Sequence, residues 1–514
     1  MNIRDAKQEI IHTIMAYTAK NEWGSYAIPS VRQRPILLIG PPGIGKTAVM
    51  QQAASACGVG FVSYSMTHHT RQSAIGLPFL EQREFEGRSY SITEYTMSEI
   101  ISSVFCCMEE SGCREGLLFL DEINCVSETL APAILQLLQN KTFGNHRLPE
   151  GWVLATAGNP QEYNKSVREF DIATLDRLKY IKVEADYDAW RPYALENNLH
   201  AAILSYLDTH REQFYVLHQT YIDKTFVTAR GWEDLSCLLL QYELLHLPVT
   251  PKLIGQYLHS EELANDFAGY YQVFTARKQT LPVTAMLDGD EKATEQCLTF
   301  MTSSAFDGKL HLVHLMLSCI GTQFRSFMEN KQHLVRFQEC QERLERFWKQ
   351  QKAESIRPLL SSFLAKEREI MRIRQEHGLS SGQEIEEIHR VLYEFQTLGY
   401  QYQAEQTSYA AASSEPPHDT PDEFFQYLRQ IHQTQSDNLE HSVKKLHSMV
   451  DYSIQFLEQS DGPELTIFLS SLSQNRLAAE FFRRCPCESF TRHRKLLEFG
   501  QREQILKQKL EKLF

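Results

Sequence analysis

The sequence predicts an α/β chain: a parallel β-sheet with helices on both faces, followed by an all-α lid and a longer all-α C-terminal region. Three observations lead there. Apolar runs of four or five residues recur through the first 187 residues, each separated by a stretch with helical spacing. Strand-like runs fade after about residue 187, and helical pattern then dominates to the C-terminus. A chain of 514 residues also exceeds what one hydrophobic core serves. The expected divisions are 1–187 for the α/β core, 188–290 for the lid and 291–514 for a helical C-terminal domain of unassigned role. That last domain is broken by a flexible loop at 408–421, where Ala-Ala-Ala-Ser-Ser-Glu-Pro-Pro stands.

The elements follow in order. Ile3, Ile10, Ile11, Ile14 and Met15 fall on one face of a first helix. Strands are read at Ile36–Ile39, Gly60–Tyr64, Leu117–Leu120, Trp152–Thr156 and Tyr180–Val183. Helices are read at Thr47–Cys57, Met97–Glu110, Ser127–Gln139 and Asp171–Arg177. A hairpin is read between Gly76–Leu80 and Gly87–Tyr90, and a second short excursion covers Phe143–Pro149. Beyond 187 come amphipathic segments with breaks at Pro248 and Pro251, then charge-rich helices such as Gln332–Lys352. The end, Thr491–Phe514, is basic and reads as the solvated face of a terminal helix, with an acidic partner as the alternative.

Composition narrows the classes. The chain is 42% hydrophobic and 23% charged, close to the globular average. Its formal net charge of −13 argues against a surface built to coat nucleic acid. The longest apolar runs are far short of a membrane span, and Met1–Asp5 opens no signal-peptide core. Eleven scattered cysteines suit reduced thiols, so the expected location is cytoplasmic.

One motif carries the chemistry. Gly40-Pro41-Pro42-Gly43-Ile44-Gly45-Lys46-Thr47 follows a strand and, with Ala48, opens a helix. Wrapping a phosphate requires inward main-chain N–H groups, and glycines permit that conformation. Lys46 would place its charge on the β/γ phosphates and Thr47 would ligate Mg²⁺. Leu117–Leu120 delivers Asp121 and Glu122 to the same sheet edge: Asp121 for Mg²⁺, Glu122 to deprotonate an attacking water. Asn159, at the tip of the next strand, can hydrogen-bond a γ-phosphate and that water. Arg177 stands where a neighbouring subunit could use it, with Arg168 the other candidate and an ion pair to Asp176 or Asp171 the plain alternative. Arg230, opening a helix after 187, could report the γ-phosphate from a lid. His68-His69, His311 with His314, and Cys485-Pro486-Cys487 lack a metal-site pattern, leaving Mg²⁺ as the expected metal.

In this order the motifs resemble those of AAA+ ATPases, and residues 3–285 are similar to the MoxR-type family. The marks are the Gly40–Thr47 loop, Thr67–Gln72, Leu120–Asn124, Ala157–Pro160, Leu175–Arg177 and Thr228–Trp232. One departure is Leu178, where the family usually has Phe. The resemblance implies an AAA+ phosphate-loop fold, ATP with Mg²⁺ as ligands, ATP hydrolysis, and a homo-oligomeric ring, usually a hexamer. It also implies hairpins that touch a protein client, and a partner bearing a von Willebrand A domain. Two rival readings stand beside it: a nucleic-acid motor of helicase-loader or restriction type, and a nucleotide-binding switch without turnover. No guanine signature is apparent, which favours ATP.

Overall fold

The computed structural model describes residues 1–68, 76–85, 88–143, 146–163, 167–168, 170–219, 224–351, 355–376, 382–413, 420–460 and 462–495. The chain divides into two compact units: Met1–Arg191 with His210–Ala268, and Pro192–Thr209 with Gly269–Phe514.

The first unit holds a five-stranded sheet. Its strands are β1 (Ile36–Ile39), β2 (Gly60–Ser65), β5 (Gly116–Asp121), β8 (Trp152–Gly158) and β9 (Lys179–Lys182). They lie in the order β2-β5-β8-β1-β9, and every pairing is parallel. Side chains alternate between faces along each strand. Leu38, Phe119, Ala155 and Ile181 therefore pack with α1 (Ile3–Thr18) and α2 (Lys46–Cys57) on one face. Leu37, Leu118, Leu120 and Leu154 pack with α3 (Glu99–Ser111) and α4 (Ala131–Asn140) on the other. Burial on both faces explains why these strands read as continuous apolar runs.

Caps fix the helix starts. Asn2 accepts the Asp5 N–H and Ser98 accepts the Ile101 N–H. Between β2 and α3 stands an antiparallel hairpin, β3 (Pro78–Phe85) with β4 (Arg88–Tyr95). A second hairpin, β6 (Thr142–Phe143) with β7 (His146–Arg147), precedes β8. The short α5 (Ile172–Leu175), capped by Asp171, leads into β9.

After residue 187 the helical expectation is incomplete. β10 (Val216–Gln219) pairs with β11 (Lys224–Val227) as an antiparallel ribbon before α8 (Ala229–Leu244). These strands are short and carry polar residues, so they lack the long apolar run that marks the central strands.

The second unit is helical. Its longest elements are α13 (Phe306–Gln351, 46 residues) and α16 (Pro421–Leu457, 37 residues), which pack on each other. Phe337 and Leu344 of α13 meet Phe363 of α14 (Ile356–Glu376), Phe395 of α15 (Gly382–Ser413) and Phe424 of α16 in one apolar core. Both ends of the span read as a loop at 408–421 are helical. The alanines at 410–412 favour helix, which runs to Ser413, and Pro421 starts the next one. Residues 414–419 and the basic end beyond 495 lie outside the described residues. Among the described residues no helix is long and apolar enough to cross a membrane, and no disulfide forms.

Candidate functional site

Three neighbouring strand ends build the site. β1 runs into the Gly40–Gly45 loop, β8 ends next to it at Asn159, and β5 beyond β8 ends at Asp121. Gly43 (φ 73°) and Gly45 (φ 88°) take left-handed conformations that an ordinary residue resists. Gly45 caps α2 without a side chain, so the first amides of that helix remain available at its positive end.

Lys46 is buried. Its Nζ donates to Gly40 O (2.9 Å), Pro41 O (2.8 Å) and Asn159 Oδ1 (2.8 Å). Burial pushes its pKa down to about 8; Asp121 and Glu122 pull the other way, while the Arg230 charge adds to the fall. A cation held mainly by neutral oxygens is matched to an incoming anion. The Thr47 hydroxyl donates to Asp121 Oδ2 at 2.5 Å, bringing together a hydroxyl and a carboxylate, the hard oxygen donors that suit Mg²⁺.

Glu122 sits one residue further, in the left-handed region (φ 56°). Its carboxylate accepts from Ser65 Oγ (3.2 Å) and Thr67 Oγ1 (2.9 Å) at the end of β2, and its N–H donates to Asp121 Oδ1 (2.9 Å). Two hydroxyls thus hold the candidate base. Asn124 Nδ2 donates to Asn159 O at 2.7 Å and steadies that strand tip. Sequence reasoning gave no role to Ser65, Thr67 or Asn124. Thr67 and Asn124 stood inside quoted motifs, but only the fold shows what they touch.

The arginines are placed differently. Arg230, at the start of α8, is near enough to Lys46 to affect its proton affinity, and its main-chain N–H donates to Gly43 O (3.1 Å). Arg177 is exposed, and its guanidinium donates to Ala173 O (2.9 Å). Asp176 Oδ1 lies 3.9 Å from the Arg34 guanidinium. Arg168 forms an ion pair with Glu128 (2.6 Å). Leu178, the departure from the family pattern, is buried in the sheet's core, so its position serves packing.

His69–Gln72 lie outside the described residues. His314 Nε2 lies 3.0 Å from Asp208 Oδ2, while His311 contacts Arg277 and is pushed down to about 4, first by burial. Among the described residues no cluster of three or more metal-ligating side chains forms.

Residues 35–178, just over a quarter of the chain, match the family model described as AAA domain (dynein-related subfamily). A Lon protease of Mycoplasma mycoides subsp. mycoides SC is 24% identical over 245 residues, covering 43% of this chain and 29% of that protein. A Lon protease of Metamycoplasma arthritidis is 25% identical over 232 residues, covering 43% and 26% respectively. The chain therefore spans less than a third of the length of these curated relatives. Among solved structures, a RuvB mutant of Thermotoga maritima matches at 13% identity and TM-score 0.23, over 38% of this chain and 49% of that one. The domain match supports an AAA+ ATPase.

Proposed function

We propose that this chain is an ATP-hydrolysing AAA+ remodelling factor of the MoxR type. It works as a ring, usually a hexamer, on a protein client and with a von Willebrand A-domain partner. The observation that carries the reading is the meeting of Lys46, Asn159, Thr47, Asp121 and Glu122 at adjacent strand ends.

In this reading the N–H groups of Gly43, Ile44 and Gly45 and the first amides of α2, through Ala48, wrap the β-phosphate. Lys46 releases the Gly40 and Pro41 carbonyls and turns to the β/γ oxygens. Thr47 and Asp121 hold Mg²⁺, which when bound neutralises phosphate charge. Asn159 orients a water beside the γ-phosphorus. Glu122, freed from Ser65 and Thr67, takes a proton from that water as its oxygen attacks the phosphorus. The bond to the β,γ-bridging oxygen breaks, leaving ADP and phosphate. Arg177 supplies charge to a neighbouring subunit's nucleotide, and Arg230 couples γ-phosphate loss to movement of its own helix.

A phosphate-release assay on the wild type, Lys46→Ala and Glu122→Gln tests this, alongside mass photometry with and without ATP. Turnover in both variants equal to the wild type sinks the reading.

A further inference from the structure

The crest of the phosphate loop is gripped from outside by residues far along the chain. Tyr215 Oη donates to Pro42 O at 3.1 Å, and the Arg230 main-chain N–H donates to Gly43 O at 3.1 Å. Thr228 lies against the same residue: a Cβ added to Gly43 would come within 2.9 Å of Thr228 Cβ and Oγ1. All three gripping groups are anchored. The Tyr215 ring packs on the apolar cluster shared by α1 and α2. Thr228 caps α8 by accepting the Gly231 N–H (3.1 Å), and α8 is rooted by the buried Trp232 and Leu235.

The consequence follows from peptide geometry. No peptide here is cis, so each carbonyl points opposite to the N–H of the following residue in one rigid plane. Holding Pro42 O outward fixes the direction of the Gly43 N–H. Holding Gly43 O outward fixes the Ile44 N–H. Among the described residues neither of these N–H groups has a hydrogen-bond partner in the chain. Gly43, at φ 73° and without a side chain, would otherwise be free to rotate both planes.

We infer that Tyr215 and Thr228 are positioning residues for phosphate binding: the Tyr215 hydroxyl holds the Pro42 carbonyl outward, and Thr228, packed against Gly43, caps the helix whose Arg230 N–H holds the Gly43 carbonyl, so that the Gly43 and Ile44 N–H groups aim at the diphosphate of a nucleotide. The inference rests on the nucleotide reading above. It differs from any role at the γ-phosphate because the aimed groups serve ADP and ATP alike.

The test is Tyr215→Phe in the full chain, which keeps the ring's packing and removes only the hydroxyl. Titration with ATP–Mg²⁺ and with ADP–Mg²⁺ should show both affinities weakened by about 2- to 12-fold, the worth of one hydrogen bond. KM should rise by a similar factor while kcat stays within about twofold, a split that loss of packing alone would not give. A second variant, Thr228→Ser, keeps the helix-capping hydroxyl and loses the methyl 3.3 Å from that Gly43 Cβ position. It should weaken both nucleotides in the same direction by a smaller factor. Wild-type affinities in both variants, or a loss confined to ATP, would overturn the inference. A wild-type chain that binds neither nucleotide would instead remove the function reading beneath it.

Discussion

Lys141 offers a severe test of the physical account, because replacing it should make the protein more stable. The residue is buried in the first unit, and its Nζ donates to the neutral Gln33 Oε1 at 2.9 Å. Burial, with the nearby Arg147, pushes its pKa from 10.5 to about 8. At about 1.4 kcal/mol per pH unit, holding this amine charged at pH 7 costs about 3 kcal/mol. Lys141→Met keeps the apolar stem and removes the charge. It also leaves Gln33 Oε1 without its donor, a loss of about 1 to 2 kcal/mol. The left-handed backbone (φ 56°) strains Met as much as Lys, so that factor cancels. The net expectation is stabilisation by about 1 to 2 kcal/mol at pH 7. The sign with pH is fixed by the direction of the shift. A folded pKa below the unfolded one means that the unfolded chain holds the proton across pH 8 to 10.5. The Lys141 contribution to stability therefore rises with pH in that window, and the variant's advantage over wild type shrinks accordingly. Urea unfolding followed by tryptophan fluorescence reads this, since Trp23, Trp152, Trp190 and Trp232 all lie in the first unit. Comparing the two proteins cancels the same-direction contribution of Lys46. A variant less stable than wild type at pH 7, or a difference that stays constant to pH 10, would refute the reasoning.

Three further outcomes are expected. Glu122→Gln should lower the single-turnover rate of phosphate release by about 10²- to 10⁴-fold while nucleotide affinity stays within about threefold. Thr67→Val removes the 2.9 Å donor that holds Glu122 and should raise basal turnover severalfold; an unchanged rate would mean that the hydroxyl does not restrain the base. Arg177→Ala should leave the melting temperature within about 1 °C, since the side chain is exposed, while stopping turnover in the assembled protein. Mixing it with Lys46→Ala subunits should restore part of the activity, and no restoration would argue against action in trans.

The parts of the site that were legible in the sequence are those that chemistry concentrates locally. The Gly40–Thr47 loop needs its glycines close together at fixed offsets, and Asp121 with Glu122 must follow a buried strand. What was hidden depends on distance along the chain. Tyr215 meets Pro42 across 173 residues, and nothing around Tyr215 marks it as different from any other half-buried tyrosine. Ser65 and Thr67 reach Glu122 only because β2 lies beside β5 in the sheet, and strand order is not written in either segment. The β10–β11 ribbon escaped for a different reason: four-residue strands with polar positions give too little periodicity to register. Helix through 410–412 illustrates local propensity prevailing over a turn-rich composition nearby.

The length of α13 has a mechanical consequence. At 1.5 Å per residue its 46 residues form a rod of about 69 Å. Its N-terminal half, from Leu310 to Phe327, is set in apolar packing, while Phe337 and Leu344 near the other end belong to the aromatic bundle of α14, α15 and α16. Beyond Phe327 the helix extends about 36 Å, so a tilt of about 5° there would carry its far end through about 3 Å. Because one continuous helix belongs to both packed regions, an angular change at its embedded half would be carried to the bundle.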